Sequence, residues 1–281
     1  MSIREQVEDA TFLAQHDRYV GALTTLMLAV AASSRRTFPK GTKSLEKPTE
    51  EMSDREAFTL FLGGRIRKIL FGDFGGPDEG NSGISVGFRG RQHDVAYILY
   101  KFYRCELVHD GELPEDVEFT APHVDAVAGL NIANRGLQVS ISTGEKMVLD
   151  HGWIDLLINA VGNARCNGPE FGIKHYELVP LPGIDDQAFL TELVTKYRTS
   201  LGRVHILKHA VRRLCPASII NGTNEVVAAQ FRGLVESGEI NGGAITGLSS
   251  HGFTDRAGGL QERGMELLRE VASGYQLVEA S

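Results

Sequence analysis

Apolar residues at helical spacing recur through the first part of this chain and favour a mainly α-helical fold. A long apolar pattern over residues 3–36 predicts one central helix. Its face consists of Val7, Phe12, Leu13, Tyr19, Val20, Leu23, Leu26, Met27 and Val30. Ser53 and Glu56 have the spacing of a helix-capping pair, which predicts a second helix ending at Phe71. These two patterns indicate a helical bundle at the start of the chain.

A third helical pattern leads into a pair of residues that could carry chemistry. The pattern consists of Val95, Ile98, Leu99 and Phe102, and we expect Cys105 and His109 to continue the same buried face. Asp110 and Gly111 suit a left-handed helix end, and Pro114 prevents further continuation. We call residues 95–109 the motif helix.

Arg104 and His109 are the candidate catalytic residues of the motif helix. An arginine keeps its charge and grips phosphate oxygens, whereas a histidine titrates near neutrality and can transfer a proton. Five positions separate them, which is roughly 140° around an ideal α-helix. The two side chains could therefore meet only if the last turn unwinds, or if a second copy of the helix packs across a two-fold axis.

The segment from Tyr100 to Gly111 resembles the signature of the HEPN superfamily (higher eukaryotes and prokaryotes nucleotide-binding), and the resemblance extends over residues 1–170. It implies a helical bundle that acts as a metal-independent endoribonuclease, with a composite site between two protomers. It also implies that Arg104 holds the scissile phosphate and that His109 transfers protons. The chain departs from the pattern at Cys105, where many active members have Asn, Asp or His.

Other segments complete the expected N-terminal domain. Residues 72–90 are rich in glycine and predict a long loop, either a mobile cover over the site or an ordinary surface loop. Alternating residues at 137–142 and 146–150 predict a small β-hairpin. A helix is expected from Trp153 to Ala164.

The remainder of the chain is expected to form a second, smaller helical domain. Val179–Gly183, with two prolines and a glycine, is the best linker candidate, so we assign residues 1–178 and 184–281 to separate domains. Helices are expected over 224–237 and 255–273, joined by a glycine-rich connection. This pattern fits a helix-turn-helix or winged-helix module, but short helices with glycine joints occur in many folds.

A basic segment in the second domain is the candidate RNA-binding surface. Its cations are Lys196, Arg198, Arg203, Lys208, Arg212 and Arg213, with no acidic residue among them. They could hold an RNA or DNA backbone by neutralising phosphates, or they could form a solvated helix face balanced by acidic neighbours.

Composition limits the remaining choices. The formal net charge of −7 argues against indiscriminate nucleic-acid binding by the whole surface. The three cysteines have no zinc or disulfide spacing, so we expect neither a metal nor a cofactor. The chain has no apolar run of about 18 residues and no secretory signal at its start, so we expect a cytoplasmic protein that does not span a membrane.

Two functions from different classes follow. The first is a homodimeric endoribonuclease that cleaves RNA by transesterification through the 2′-hydroxyl. The second is a non-catalytic dimerisation or partner-binding module whose C-terminal domain contacts nucleic acid. The family resemblance implies bacterial antiviral defence or toxin–antitoxin biology for either one, with an inhibitor or antitoxin protein as a partner.

Overall fold

The computed structural model describes residues 1–71, 79–121, 129–134 and 137–279. The chain divides into two compact units, with the division after Ile173. Both units are built mainly of helices, so the expected mainly α-helical fold class is confirmed. Within the described ranges, no helix is long and apolar enough to cross a membrane. The assignment of residues 1–178 and 184–281 to separate domains stays a prediction.

The first unit combines helices with two small sheets. Its helices are α1 (Ile3–Gln15), α2 (Tyr19–Thr37), α3 (Asp54–Phe71), α4 (Val95–Ile98), α5 (Cys105–His109), α6 (Gly152–Gly162) and α7 (Gly168–Phe171). Its strands are β1 (Ser85–Phe88), β2 (Arg91–Asp94), β3 (Val117–Thr120), β4 (Gly129–Asn134), β5 (Leu137–Thr143) and β6 (Met147–Asp150). A π-helical segment, Leu99–Arg104, joins α4 to α5, and a 3₁₀ turn, Arg165–Asn167, precedes α7.

The prediction of one helix over residues 3–36 is wrong, because the chain reverses between α1 and α2. Asp17 has a φ of 58°, a left-handed conformation that a continuous helix cannot contain. The two helices then pack against each other. As a result, two residues expected in the buried face are exposed: Phe12 is 61% and Val20 is 45% accessible.

Helix α3 begins where the capping pattern indicated. The Glu56 backbone N–H donates to the Ser53 hydroxyl at 3.2 Å, so the predicted helix start is confirmed. The buried Glu56 carboxylate does not complete the expected reciprocal bond. It accepts instead from the backbone N–H groups of Leu45 and Glu46, at 2.6 and 3.2 Å, and so anchors the preceding loop.

The predicted hairpin is present within a larger sheet of order β3-β6-β5-β4. Strands β5 and β6 are antiparallel, with Ile141 opposite Leu149, and β3 runs parallel to β6. The predicted helix after the hairpin is α6. Trp153 in its first turn is buried and donates its indole N–H to the Ser140 carbonyl at 2.8 Å, which fixes α6 on the sheet.

The predicted long loop at 72–90 is only partly a loop. Residues 72–78 lie outside the described residues, and the expectation of a mobile cover falls partly on them. Further along, β1 and β2 form an antiparallel hairpin that was not expected, with Ser85 opposite Asp94. Its turn is formed by Arg89 and Gly90, whose φ values of 48° and 73° are those of a type I′ turn.

The second unit is a set of helices with one strand pair. Its elements are β7 (Tyr176–Pro180), α8 (Asp186–Lys196), α9 (Leu201–Leu214), α10 (Pro216–Asn221), α11 (Asn224–Glu236), α12 (Gly242–Ser249), α13 (Glu262–Ser273) and β8 (Tyr275–Glu279). Strands β7 and β8 are antiparallel. Val179 and Pro180, which were expected in a linker, belong to β7, where they lie opposite Gln276 and Tyr275.

Two elements of this unit were predicted incorrectly, because their sequences contain or adjoin several glycines. The stretch expected to be a glycine-rich connection contains α12, whose start is capped by the Asn241 side chain accepting from the Ala244 N–H at 2.9 Å. Helix α13 begins at Glu262 rather than near 255. Before it, the Asp255 carboxylate accepts from the backbone of Ala257 and Gly259, both at 2.8 Å, and holds a turn.

Candidate active site at the motif helix

The motif helix begins at a fixed polar cap. The Asp94 carboxylate accepts from the Ala96 N–H at 2.8 Å at the helix start, and also from the backbone and hydroxyl of Ser82 at 2.8 and 2.9 Å. At the other end, the Gly111 N–H donates to the Glu106 carbonyl at 3.1 Å, and Gly111 has a φ of 80°. The expected left-handed end after Asp110 is therefore confirmed.

The middle of the motif helix is π-helical, which the sequence did not indicate. The Cys105 N–H donates to the carbonyl of Tyr100, five residues back instead of four. Arg104 is the last residue of this segment. A π-helical segment turns each following side chain relative to a regular α-helix, so the residues after it lie at positions that simple α-helical spacing does not give.

Arg104 lies half-buried against Tyr100. Its guanidinium carbon is 5.4 Å from the centre of the Tyr100 ring, a cation–π contact. Its Nε atom is buried and has no hydrogen-bond partner in the described part of the chain. A buried guanidinium N–H without an acceptor is costly, and an incoming anion would satisfy it.

The surroundings of Tyr100 keep that residue neutral. Its ring contacts the ring of Phe58 on α3, with centres 5.3 Å apart. Burial raises the pKa of the Tyr100 hydroxyl above its ordinary value, and the neighbouring Cys105 thiol raises it further. Tyr100 therefore brings an aromatic face to Arg104 and no negative charge that would compete with a phosphate.

His109 is exposed, so the expectation that it continues the buried face is wrong. The helix ends at this residue. By helical spacing His109 shares a side with Glu106, whereas Arg104 shares one with Tyr100. Among the described residues no hydrogen bond joins Arg104, in the π-helical segment, to His109, the last residue of α5. One motif helix does not bring the two together.

A second arginine beside the motif helix was missed by the sequence analysis. Arg89 donates from Nε and Nη2 to both carboxylate oxygens of Asp116, at 2.8 and 2.7 Å. Its guanidinium carbon also lies 5.1 Å from the ring centre of Phe88 and 5.0 Å from that of Phe102, a residue of the π-helical segment. The Arg-Gly turn is a weak sequence signal for this placement, and nothing in the sequence connects Arg89 to Asp116.

Three cations of the basic segment are paired with acids of the same unit. Their partners are as follows: Lys196 with Glu270 at 2.7 Å, Lys208 with Asp186 at 2.9 Å, and Arg213 with Glu239 at 2.8 Å. Such pairing reduces the positive potential that these side chains would offer to phosphates. This is the arrangement expected of a helix face balanced by acidic neighbours.

The other three basic residues have different surroundings. Arg203 donates to the Gly247 carbonyl at 2.6 Å and so holds α9 to α12. Arg212 lies 3.3 Å from the ring nitrogen Nδ1 of His209. Arg198 is exposed and has a left-handed φ of 44°. The six residues thus do not form one uniform cationic surface, and their role in RNA binding stays a prediction.

The described residues contain no group of three or more His, Cys, Asp or Glu side chains arranged to hold a metal ion. The three cysteines are not paired in disulfides.

A comparison with protein-family models finds a match to the Rv1289 family over residues 2–181. The matched residues make up nearly two thirds of the chain. The chain belongs to the Rv1289 family. The region shared with Rv1289 contains the whole motif helix, the Arg89–Asp116 pair and strand β7. No curated protein and no solved structure matches the chain.

Proposed function

We propose that the Rv1289-family region of this chain is a metal-independent endoribonuclease of HEPN type, active as a homodimer. Arg104 binds the scissile phosphate and His109 transfers protons. The observation that carries the proposal is the state of Arg104: its Nε is buried without an acceptor, and the residue it packs on, Tyr100, is neutral. A phosphate oxygen supplies the missing acceptor and the missing charge.

A second copy of the chain is part of the proposal. One motif helix presents Arg104 and His109 on different sides, but His109 is exposed at a helix end and is free to approach the Arg104 of another protomer. A two-fold axis between two motif helices generates two equivalent pairings at once.

The proposed reaction is an internal transesterification. The 2′-oxygen attacks the phosphorus, the bond from phosphorus to the 5′-oxygen breaks, and a 2′,3′-cyclic phosphate and a 5′-hydroxyl form. His109 takes the proton from the 2′-hydroxyl, and the leaving 5′-oxygen receives a proton by way of the imidazole. Arg104 stabilises the charge that develops on the phosphate oxygens.

A second candidate is the non-catalytic dimerisation or partner-binding module, with nucleic acid contacted by the C-terminal unit. The separation of Arg104 from His109 within one helix and the presence of Cys105 after the arginine favour it. The acids paired with Lys196 and Arg213 weaken its C-terminal contact. A cytoplasmic location, a defence role and an inhibitor or antitoxin partner follow from the family resemblance and belong to either proposal.

Cleavage of transfer RNA and total RNA in EDTA tests the proposal. We expect the wild type to cut and to leave cyclic-phosphate ends, and we expect Arg104→Ala and His109→Ala to be inactive. His16→Ala is the matched control, because His16 is also an exposed histidine at the end of a helix, α1. Loss of cutting in His109→Ala but not in His16→Ala supports the assignment. Full activity in either motif variant, or no cutting by a folded wild-type dimer, contradicts it.

A further inference from the structure

A cavity of about 580 Å³ lies in the first unit, between the turn of the β1–β2 hairpin and the turn that joins β5 to β6. Its polar lining consists of Arg89, Arg91, Gln92, Asp116, Thr143 and Glu145. This volume is in the range of small-molecule sites, about 300 to 1,000 Å³. The catalytic proposal does not use this cavity.

The Arg89–Asp116 pair forms a rigid planar part of the cavity wall. The guanidinium is held by two parallel hydrogen bonds to the Asp116 carboxylate and lies against the rings of Phe88 and Phe102. Arg89 holds the pKa of the Asp116 carboxyl below its usual value, so the pair stays charged. Unpaired RNA bases stack on aromatic rings and on guanidinium planes of this kind.

Arg91 supplies a cation for a phosphate in the same cavity. Its side chain is exposed and makes no hydrogen bond or ion pair within the described residues. The Gln92 side-chain oxygen accepts from the Ser85 hydroxyl at 3.1 Å, which leaves its amide nitrogen as a donor. Thr143 adds a hydroxyl, and Glu145 on the opposite turn adds an acceptor that can bind an exocyclic amino group of a base.

The cavity lies on the His109 side of the motif helix. Phe102 of the π-helical segment touches Arg89. The hydrogen bond to Asp116 raises the pKa of the Arg89 guanidinium, and the charge of the Glu106 carboxylate adds to this effect. Glu106 and His109 are three residues apart in α5 and therefore share one side of that helix.

We propose that this cavity binds one nucleotide of single-stranded RNA, with the base stacked on the Arg89–Asp116 pair and a phosphate held by Arg91. The inference rests on the proposed function, because it makes the cavity a substrate subsite of that nuclease. It adds recognition of an unpaired nucleotide, which neither Arg104 nor His109 provides.

The test is binding of a fluorescent single-stranded oligonucleotide with 2′-O-methyl riboses, which cannot be cleaved. For Arg91→Ala we expect the Kd to rise about tenfold or more, as for loss of a charge-assisted hydrogen bond. We expect the slope of log Kd against log salt to be lower by about 0.7, the value for one phosphate contact to a single strand. Arg18→Ala is the matched control, because Arg18 is an exposed arginine in the same unit. It should change the Kd less than about twofold.

Arg89→Lys gives a second variant. It keeps the charge but cannot form the planar bidentate pair, so we expect weaker binding while the emission of Trp153 reports an intact fold. Equal binding by Arg91→Ala and Arg18→Ala, or no binding by the wild type, overturns the inference. So does a nucleoside monophosphate that binds as tightly as the oligonucleotide, because the ligand is then a free nucleotide.

The binding and cleavage assays separate the two proposals. Wild-type cleavage combined with unchanged binding by Arg91→Ala overturns the cavity proposal and leaves the nuclease. Weakened binding by Arg91→Ala combined with no wild-type cleavage overturns the nuclease and leaves an RNA-binding cavity.

Discussion

Tyr103→Phe should weaken the attachment of the motif helix to the sheet. Tyr103 lies in the π-helical segment, is fully buried, and donates its hydroxyl to the Glu118 carbonyl of β3 at 2.9 Å. The variant keeps the ring, so no large cavity forms, but this hydrogen bond is lost. A hydrogen bond within a protein contributes about 0.5 to 1.5 kcal/mol net, and because the Tyr103 side chain is fully buried we take the upper value, about 1.5 kcal/mol.

Urea unfolding followed by tryptophan fluorescence measures this effect. Trp153 is the only tryptophan of the chain and is buried in the first unit, so its emission reports that unit alone. With a slope of about 2 kcal/mol per molar urea, a loss of 1.5 kcal/mol lowers the midpoint by about 0.7 M. Burial raises the pKa of the Tyr103 hydroxyl, so it remains a neutral donor and the shift should not vary with pH near neutrality.

Tyr97→Phe is the matched control for this measurement. Tyr97 is half-buried and its hydroxyl makes no hydrogen bond among the described residues, so its removal should change stability by less than about 0.5 kcal/mol. Equal midpoints for the wild type and Tyr103→Phe, with unchanged slopes, would refute the claim that this hydrogen bond holds the motif helix to β3.

Two further predictions concern the sheet and the basic segment. Burial raises the pKa of the Asp150 carboxyl above 3.8, against the hydrogen bond from Ser140, so the folded state binds its proton more tightly than the unfolded state. The ionised Asp150 carboxylate therefore has no destabilising effect below pH 3.8, and the effect grows as the pH rises through the pKa of the folded state. Over that pH range, Asp150→Asn should gain in urea midpoint relative to the wild type. The triple variant Lys196→Gln, Lys208→Gln and Arg213→Gln should bind RNA like the wild type, because acids already neutralise these cations. A slope of log Kd against log salt that is lower by about 2 would instead identify the three side chains as three phosphate contacts.

Local sequence signals predicted elements correctly where the signal and the structure involve the same few residues. The serine cap of α3, the glycine end of the motif helix and the alternating hairpin of β5 and β6 were all predicted, because each depends on neighbours in sequence. The break between α1 and α2 was missed, because Asp17 takes a left-handed conformation without a glycine or proline to mark it.

The candidate site was predictable in its residues but not in its geometry. Spacing selected Arg104 and His109 as candidates, whereas it did not indicate the π-helical segment, in which Tyr103 and Phe102 pack on other elements. The Arg89–Asp116 pair joins residues 27 positions apart, and no periodic pattern predicts such a contact. Glycines at 242 and 243 suggested a connection, yet the Asn241 cap allows them to start α12.

Mixing two inactive variants tests most directly whether the active site is shared between protomers. Arg104→Ala and His109→Ala are combined under conditions in which dimers exchange subunits, and RNA cleavage in EDTA is measured. If each site takes Arg104 from one protomer and His109 from the other, half of the dimers are mixed and each has one complete site, so about a quarter of the wild-type activity should return. No recovery in a mixture shown to contain mixed dimers, while the wild type remains active, would contradict the composite site.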